Sequence, residues 1–325
     1  MRVIVHGGAG GAPDEPEPRQ RVLDDAAVAG ADESDPVDAV EAAVRVLESN
    51  ERFNAGVGGA VQSDGIIRTD AGVMTSGLPQ AAERASVHET RSVSRANQNA
   101  SRSGDGETAS TREAGAAAGM PGVEHAVSVA RGVMEDTPHI FLNGVHAVDF
   151  AEDIGVETEV DLWTDRSREQ WNDLDSHPEG SPLEHVAWLE DRFGGDPDDA
   201  NDHDTVGAVA FDGESFATAT STGGRWLALA GRVGDVPQIG SGFYASSAGA
   251  ASATGAGEDI AKTTLTRRAV RHLEDGLDAQ AAAEKAIAEF EDLTGSSAGV
   301  IVLDADGNAG DAFNSEAMQT AQTQS

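Results

Sequence analysis

His203-Asp204-Thr205-Val206-Gly207-Ala208-Val209-Ala210-Phe211-Asp212, then Gly213-Glu214, then Ser215-Phe216-Ala217-Thr218-Ala219-Thr220-Ser221-Thr222-Gly223-Gly224, is the stretch on which the fold turns. The apolar run 206–211, the Asp212-Gly213-Glu214 turn and the alternating run to Ser221 read as a β-hairpin. Upstream, residues 194–204 are rich in Asp, Gly and Pro and bury too little to order themselves. A flexible acidic tether thus enters a buried strand at Thr205. A hydroxyl at such a junction can attack the carbonyl of Asp204, open the Asp204–Thr205 bond and leave Thr205 as a new N-terminus. Its freed α-amine then supplies the base that its own hydroxyl lacks. Taken alone, Thr205 is more simply a β-branched residue opening a strand. The case rests on its neighbours.

The chain has 325 residues, with 57 acidic against 22 basic side chains and a formal charge of -35. That surface repels nucleic acid and anionic membranes, since a polyanion offers neither of them counterion release. It suits a salt-rich cytoplasm, where screening removes the self-repulsion. The absence of cysteine excludes disulfides, thiolate metal sites and a Cys nucleophile. No histidine spacing matches a metal motif, no run approaches the ~18 apolar residues of a membrane span, and the N-terminus enters a strand without a signal peptide. A soluble cytoplasmic protein is expected.

Residues 2–5 form a short strand that is expected to stop at His6-Gly7-Gly8-Ala9-Gly10-Gly11. A dinucleotide fingerprint there fails, because Pro13 replaces its third glycine and residues 12–18 hold too much proline to open a helix. Apolar spacing predicts helices over 20–31 and 36–48, the second capped by Asp35 with Pro36 at its first position. Strands are expected near 60–62 and 66–74. From Gly77 to about Thr111 the periodicity gives way to Ser, Arg, Asn and Thr, the composition of a disordered insertion, which a sequence or reading-frame artefact would equally give. Helices near 123–134 and 144–153 flank a strand at 139–142, and residues 160–204 read as a mobile linker. Beyond the hairpin come strands at 238–244 and 246–254, one long helix over 258–273, another over 279–293, and a hairpin from 298 to 313. Helices and antiparallel strands clustered at both ends suggest sheets packed face to face with helices outside.

Three patches accompany Thr205. Thr222 ends the strand that pairs with its own, where a hydroxyl can approach the nucleophile or simply face solvent. In Gly231-Arg232-Val233-Gly234-Asp235 an arginine fork and a carboxylate stand three residues apart, able to hold the two ends of a zwitterionic amino acid or to form a surface ion pair. Thr254-Gly255-Ala256-Gly257-Glu258 opens the long helix, where N–H groups and a hydroxyl suit either an oxyanion or an ordinary cap.

Together with His6–Gly10, Phe53–Gly58 and Phe313-Asn314-Ser315-Glu316, these patches resemble the isoaspartyl peptidase/L-asparaginase family, the plant-type asparaginases among the N-terminal-nucleophile hydrolases. The resemblance implies an α+β fold, a four-layer αββα sandwich. It implies autocatalytic cleavage into an α chain, 1–204, and a β chain, 205–325, which remain one structural domain and assemble as a dimer of αβ heterodimers. Thr205 is then the nucleophile, Thr222 orients it, Thr254 and Gly255 form the oxyanion hole, and Asn54 faces the pocket. Arg232 holds the substrate α-carboxylate and Asp235 the α-amine, with Val233, Gly234, Ala256 and Gly257 lining the site. No catalytic cofactor is implied. The loop Leu47, Glu48, Asn50, Phe53, Ala55 and Val57 matches a backbone-carbonyl cage for a structural sodium or potassium ion. Substrates implied are L-asparagine and isoaspartyl dipeptides.

Familiar members carry glycine before the nucleophile. Here His203-Asp204-Thr205 has the form found in glycosylasparaginases, which cut a sugar–asparagine bond and lack a loop like Phe53–Gly58. A non-processing, amino-acid-binding relative is the alternative from another class. Residues Arg225-Trp226-Leu227-Ala228-Leu229-Ala230 replace a usually more polar loop, which bears on the leaving group.

Overall fold

The computed structural model describes residues 1–77, 112–193 and 205–324. The expected insertion lies almost wholly outside them, as do Asp204 and residues 194–203.

Eleven strands are found among the described residues, in two sheets. The larger has seven: β1 (Arg2–Gly10), β2 (Arg68–Thr75), β3 (Glu113–Pro121), β4 (Phe141–Asn143), β5 (Val206–Phe211), β6 (Phe216–Thr222) and β11 (Ala317–Gln324), in the order β11-β1-β5-β6-β2-β3-β4. The smaller holds β7 (Phe243–Ser246), β8 (Gly249–Gly255), β9 (Ala298–Asp304) and β10 (Ala309–Phe313), in the order β10-β9-β8-β7. All pairings are antiparallel except β3 with β4.

Strand alternation assigns each side chain to a layer. On β1, Val3 and Val5 join one apolar cluster and Ile4 the other; on β5, Ala208 and Ala210 join the first, Val209 and Phe211 the second. The first cluster lies under helices α1 (Pro16–Ala31), α2 (Pro36–Glu48), α3 (Ala126–Asp136) and α4 (Gly144–Asp153). The second fills the space between the sheets and runs on to α8 (Leu265–Glu274) and α9 (Ala279–Thr294), which follow α7 (Gly257–Thr263). Both sheets are therefore buried on both faces, giving the αββα layering that was expected.

Helix α2 shows how sequence sets the site. The Asp35 carboxylate accepts from Val37 N at 2.8 Å, Pro36 occupies the first turn where no N–H is needed, and Val37, Val40, Val44 and Leu47 are buried at helical spacing. The helix ends at Glu48, whose buried carboxylate accepts from Val127 N at 3.0 Å and Ser221 Oγ at 2.6 Å. That anchor ties the start of the following loop to β6.

Several expectations are corrected. The first strand does not stop at Val5 but runs through the glycines to Gly10, because it is an interior strand paired on both sides; a bulge between His6 and Ala9, with Gly8 at φ +116°, absorbs the run. Helix α1 begins at Pro16, inside the proline-rich segment, since proline costs no hydrogen bond in a first turn. The part of the expected linker between 160 and 193 carries two helices, α5 (Asp165–Asn172) and α6 (Pro182–Phe193). The first starts with a reciprocal capping box between Thr164 and Ser167. The single long helix near 258–273 is two, broken at Thr264, a residue with φ 53°. Strands β3 and β11 lie where no element is expected from local pattern. Among the described residues no helix is long and apolar enough to cross a membrane.

Candidate active site

The register places the key residues in one row. Val206 opposes Ser221, so Thr205 meets Thr222, and Thr222 in turn opposes Asp70 across the β6–β2 pair. Residues opposite one another share a face, and here it is the face toward the smaller sheet, since Thr220 on that face bonds Ser252 at 2.7 Å. Thr205 is buried and its Oγ donates to Thr222 Oγ at 3.3 Å; Thr222 Oγ also accepts from Gly224 N at 3.1 Å. His6 lies at the same end of the sheet, opposite Gly207. Burial holds its imidazole down to about 3, against a hydrogen bond with the Thr205 backbone that pulls the other way. The ring is neutral, and its Nε2 lies 2.9 Å from Ser252 Oγ.

Asn54 stands beside this row. Its Nδ2 donates to Gly224 O at 2.6 Å, its Oδ1 accepts from Ala60 N at 2.8 Å, and its backbone O accepts from Gly223 N. The turn after β6 and the loop after α2 are thereby laced together.

The loop from Arg225 to Phe243 brings in the charges. Gln62 Oε1 accepts from Gly231 N at 2.9 Å and Ser63 Oγ from Ala230 N at 3.1 Å, which fixes the loop's approach. Arg232 donates to Glu258, at the start of α7, from both Nε and Nη2. Asp235 is buried and its Oδ2 has no hydrogen-bond partner among the described residues. Desolvation pushes its carboxyl up to about 7 although Arg232 draws it down. Gly257 has room for no side chain, because a Cβ there would stand 2.7 Å from Asp235 Oδ1 and 2.8 Å from Arg232 Nη2. Gly234 likewise packs on the Arg232 guanidinium, Ala256 is buried at the N-cap of α7, and Val233 is exposed. A guanidinium and a buried, half-satisfied carboxylate thus flank one small space.

Thr254 and Gly255 end strand β8 rather than opening a helix, which begins two residues later. The Thr254 hydroxyl is buried between the sheets and accepts from Ala9 N at 3.2 Å. It therefore touches the glycine-rich end of β1.

Asp70 is a residue of the site that the sequence reading missed. It is buried, accepts from Gly119 N at 2.7 Å, and is pushed up to about 7 by desolvation, with the Arg232 charge opposing. The available signal was an acidic residue inside a strand.

In the loop implied as a cation cage, backbone oxygens approach the chain closely. Around Gly58, at φ +98°, the carbonyl oxygens of Phe53 and Glu51 lie 2.8 and 2.9 Å from where a Cβ would stand. Glu48 O accepts from Val57 N at 2.8 Å and keeps a second lone pair. Backbone oxygens are neutral hard donors of the type an alkali ion takes, and among the six implied here Leu47 O, Glu48 O and Asn50 O already accept from Asn50 N, Val57 N and Phe53 N.

The αββα sandwich, with the paired hydroxyls of Thr205 and Thr222 at the head of an inner strand, is the arrangement of a hydrolase. The chain belongs to the asparaginase family: the family model described as Asparaginase matches residues 1–101 and 105–325. It is similar to the plant-type L-asparaginase of Pyrococcus abyssi, 39% identical over 328 residues, covering 99% of this chain and 95% of the relative. It is similar also to the isoaspartyl peptidase/L-asparaginase of Danio rerio, 34% identical over 331 residues with 99% and 92% covered, and to that of Mus musculus, 35% identical over 318 residues with 94% and 82% covered.

Proposed function

We propose that the chain opens its own Asp204–Thr205 bond and then hydrolyses L-asparagine to L-aspartate and ammonia, and cleaves β-aspartyl dipeptides. The observation that carries this reading is the buried Thr205 hydroxyl at the head of β5, 3.3 Å from Thr222 Oγ. Maturation begins when Thr205 Oγ attacks the Asp204 carbonyl carbon; the C–N bond breaks, the acyl group moves to oxygen, and water cleaves the ester. The liberated α-amine takes the hydroxyl proton as Oγ attacks the side-chain carbonyl of the substrate. That proton passes to the departing nitrogen, and water hydrolyses the β-aspartyl ester. Arg232 binds the substrate α-carboxylate, Asp235 its ammonium, and Thr254 with Gly255 the oxyanion. Thr222 holds the nucleophile in line, and Asn54 fixes the turn that carries Thr222.

The carbonyls of Leu47, Glu48, Asn50, Phe53, Ala55 and Val57 would hold a sodium or potassium ion, which stiffens the loop bearing Asn54 and takes no part in the chemistry. The acidic surface suits a salt-rich cytoplasm, and the resemblance supports assembly as a dimer of αβ heterodimers.

The test is intact mass spectrometry of protein held in molar potassium chloride, with Thr205→Ala as control, followed by ammonia release from asparagine. Two fragments parting between Asp204 and Thr205, absent in the control, are expected. A stable, inactive full-length chain would favour the amino-acid-binding alternative.

A further inference from the structure

A cleft beside the reacting pair carries groups that asparagine does not need. Its lining includes Glu51, Arg52, Asn54, Arg166 and Trp226. Asn54 joins this cleft to the chemistry: its Nδ2 holds Gly224 O, Gly224 N holds Thr222 Oγ, and Thr222 receives the Thr205 hydroxyl. Trp226 is two residues beyond Gly224.

The chain has four tryptophans and one tyrosine, yet three of the tryptophans gather here. Trp226 stands edge-on to Trp171, centroids 6.5 Å apart at 83°, and Trp171 edge-on to Trp163 at 6.2 Å and 79°. These contacts fix the Trp226 ring while leaving it half-buried. The charge is equally out of character. In a chain of 57 acidic and 22 basic residues, Arg166 has no carboxylate partner among the described residues. Arg52 is already held by Glu15 at 3.0 Å, so Arg166 is the guanidinium left to answer an anion.

We propose that this cleft is a leaving-group subsite, binding the amino acid released from a β-aspartyl dipeptide with its carboxylate on Arg166 and its side chain on Trp226. The inference rests on the hydrolase reading above and narrows it. The aspartyl half occupies Arg232 and Asp235, and the scissile amide lies at Thr205. Ammonia, the leaving group of asparagine, reaches none of the cleft. A sugar would use the Trp226 ring but has no anion for Arg166. The matching substrates are therefore β-aspartyl dipeptides with a bulky apolar or aromatic second residue.

The experiment compares matured wild type with Arg166→Ala, Trp226→Ala and Trp226→Leu on asparagine, β-aspartyl-glycine, β-aspartyl-phenylalanine and N-acetylglucosaminyl-asparagine. Arg166→Ala is expected to raise KM for both dipeptides about tenfold relative to asparagine with little change in kcat, the scale of one charge-assisted hydrogen bond. Both Trp226 variants are expected to raise KM for β-aspartyl-phenylalanine several-fold more than for β-aspartyl-glycine. Unchanged selectivity in all three variants, with asparagine still hydrolysed, overturns the subsite and spares the hydrolase. Faster cleavage of the sugar conjugate, sensitive to Trp226 and indifferent to Arg166, overturns it in favour of a glycan. Failure of matured wild type on every substrate overturns the hydrolase reading itself.

Discussion

Arg232 is bound to Glu258 by both arms of its guanidinium, at 2.8 and 2.7 Å. In the binding mode proposed above, a substrate carboxylate therefore enters in competition with a carboxylate of the protein. The Glu258 side chain is 54% exposed and can swing away, while Arg232 is 18% exposed and stays. Glu258→Gln, which weakens the resident partner without removing its bulk, should lower KM for asparagine by about fivefold, the scale of a half-exposed ion pair. Steady-state kinetics at fixed ionic strength decide it, and an unchanged or higher KM would show that Glu258 does not compete.

With Asp235 as the proposed ammonium partner, binding depends on pH. Asp235 titrates at about 7, raised by desolvation while Arg232 opposes and Glu258 and Asp70 add to the rise. An ammonium group is held by the ionised form, so KM for asparagine should climb as pH falls below about 7. A KM flat from pH 8 to pH 5.5 would count against that assignment.

The same groups shape stability. Folded Asp70 keeps its proton to about 7, whereas its ordinary value is 3.8. Unfolding releases protons between those limits, so this contribution is full below 3.8 and is lost as pH rises through 7. Asp70→Asn retains an acceptor for Gly119 N and abolishes the titration. Its melting temperature should fall less than that of wild type between pH 5 and pH 8, and parallel melting curves would refute the argument.

Thr222→Val preserves shape and β-branching but leaves Thr205 without its hydroxyl partner. It should reduce kcat about 100-fold, within the range for loss of one positioned proton-transfer or orienting group, while Thr222→Ser keeps most of the activity. Equal activity in the two variants would remove Thr222 from the mechanism.

Between the sheets, a Cβ on Gly72 would overlap the ring of Phe243. Gly72→Ala should cost about 1–3 kcal/mol in denaturant unfolding, the usual penalty of overpacking. Phe243→Leu in the same molecule should recover part of that cost. Additive losses in the double variant would mean that the two positions do not share the space.

The sequence displayed best what depends on local pattern. The hairpin around Asp212-Gly213-Glu214 and helix α2 with its Asp35 cap were legible because alternation, turn chemistry and capping are written in neighbouring residues. Strand β3 was not, since Glu113-Ala114-Gly115-Ala116-Ala117-Ala118 has no large apolar residues to alternate; small residues are required where α3 backbone crosses close, as at Gly115. Strand β11, Ala317–Gln324, is mostly polar in sequence, with Met318 and Ala321 its buried apolar residues, and finds its place through β1, more than three hundred residues upstream. The break at Thr264 and the pairing of Arg232 with Glu258 are likewise tertiary. At the site, Thr205, Thr222, Arg232 and Asp235 were visible as motifs, whereas Asp70 and Gln62 act through register and loop contacts that no nearby residue announces.

Across the large sheet, β11, β5 and β6 follow residue 205 while β1, β2, β3 and β4 precede it. The strands of the two segments meet at three seams, with β1 held between β11 and β5, and β2 hydrogen-bonded to β6. Once the bond before Thr205 is opened, neither fragment can leave without stripping those ladders from the other, so separation and unfolding are one event. The cut also changes the order of the return journey. An uncut chain refolds alone, but cut fragments must first find each other, at a rate set by concentration. Cleavage as proposed above would have to follow folding, and it would leave no single-chain route back.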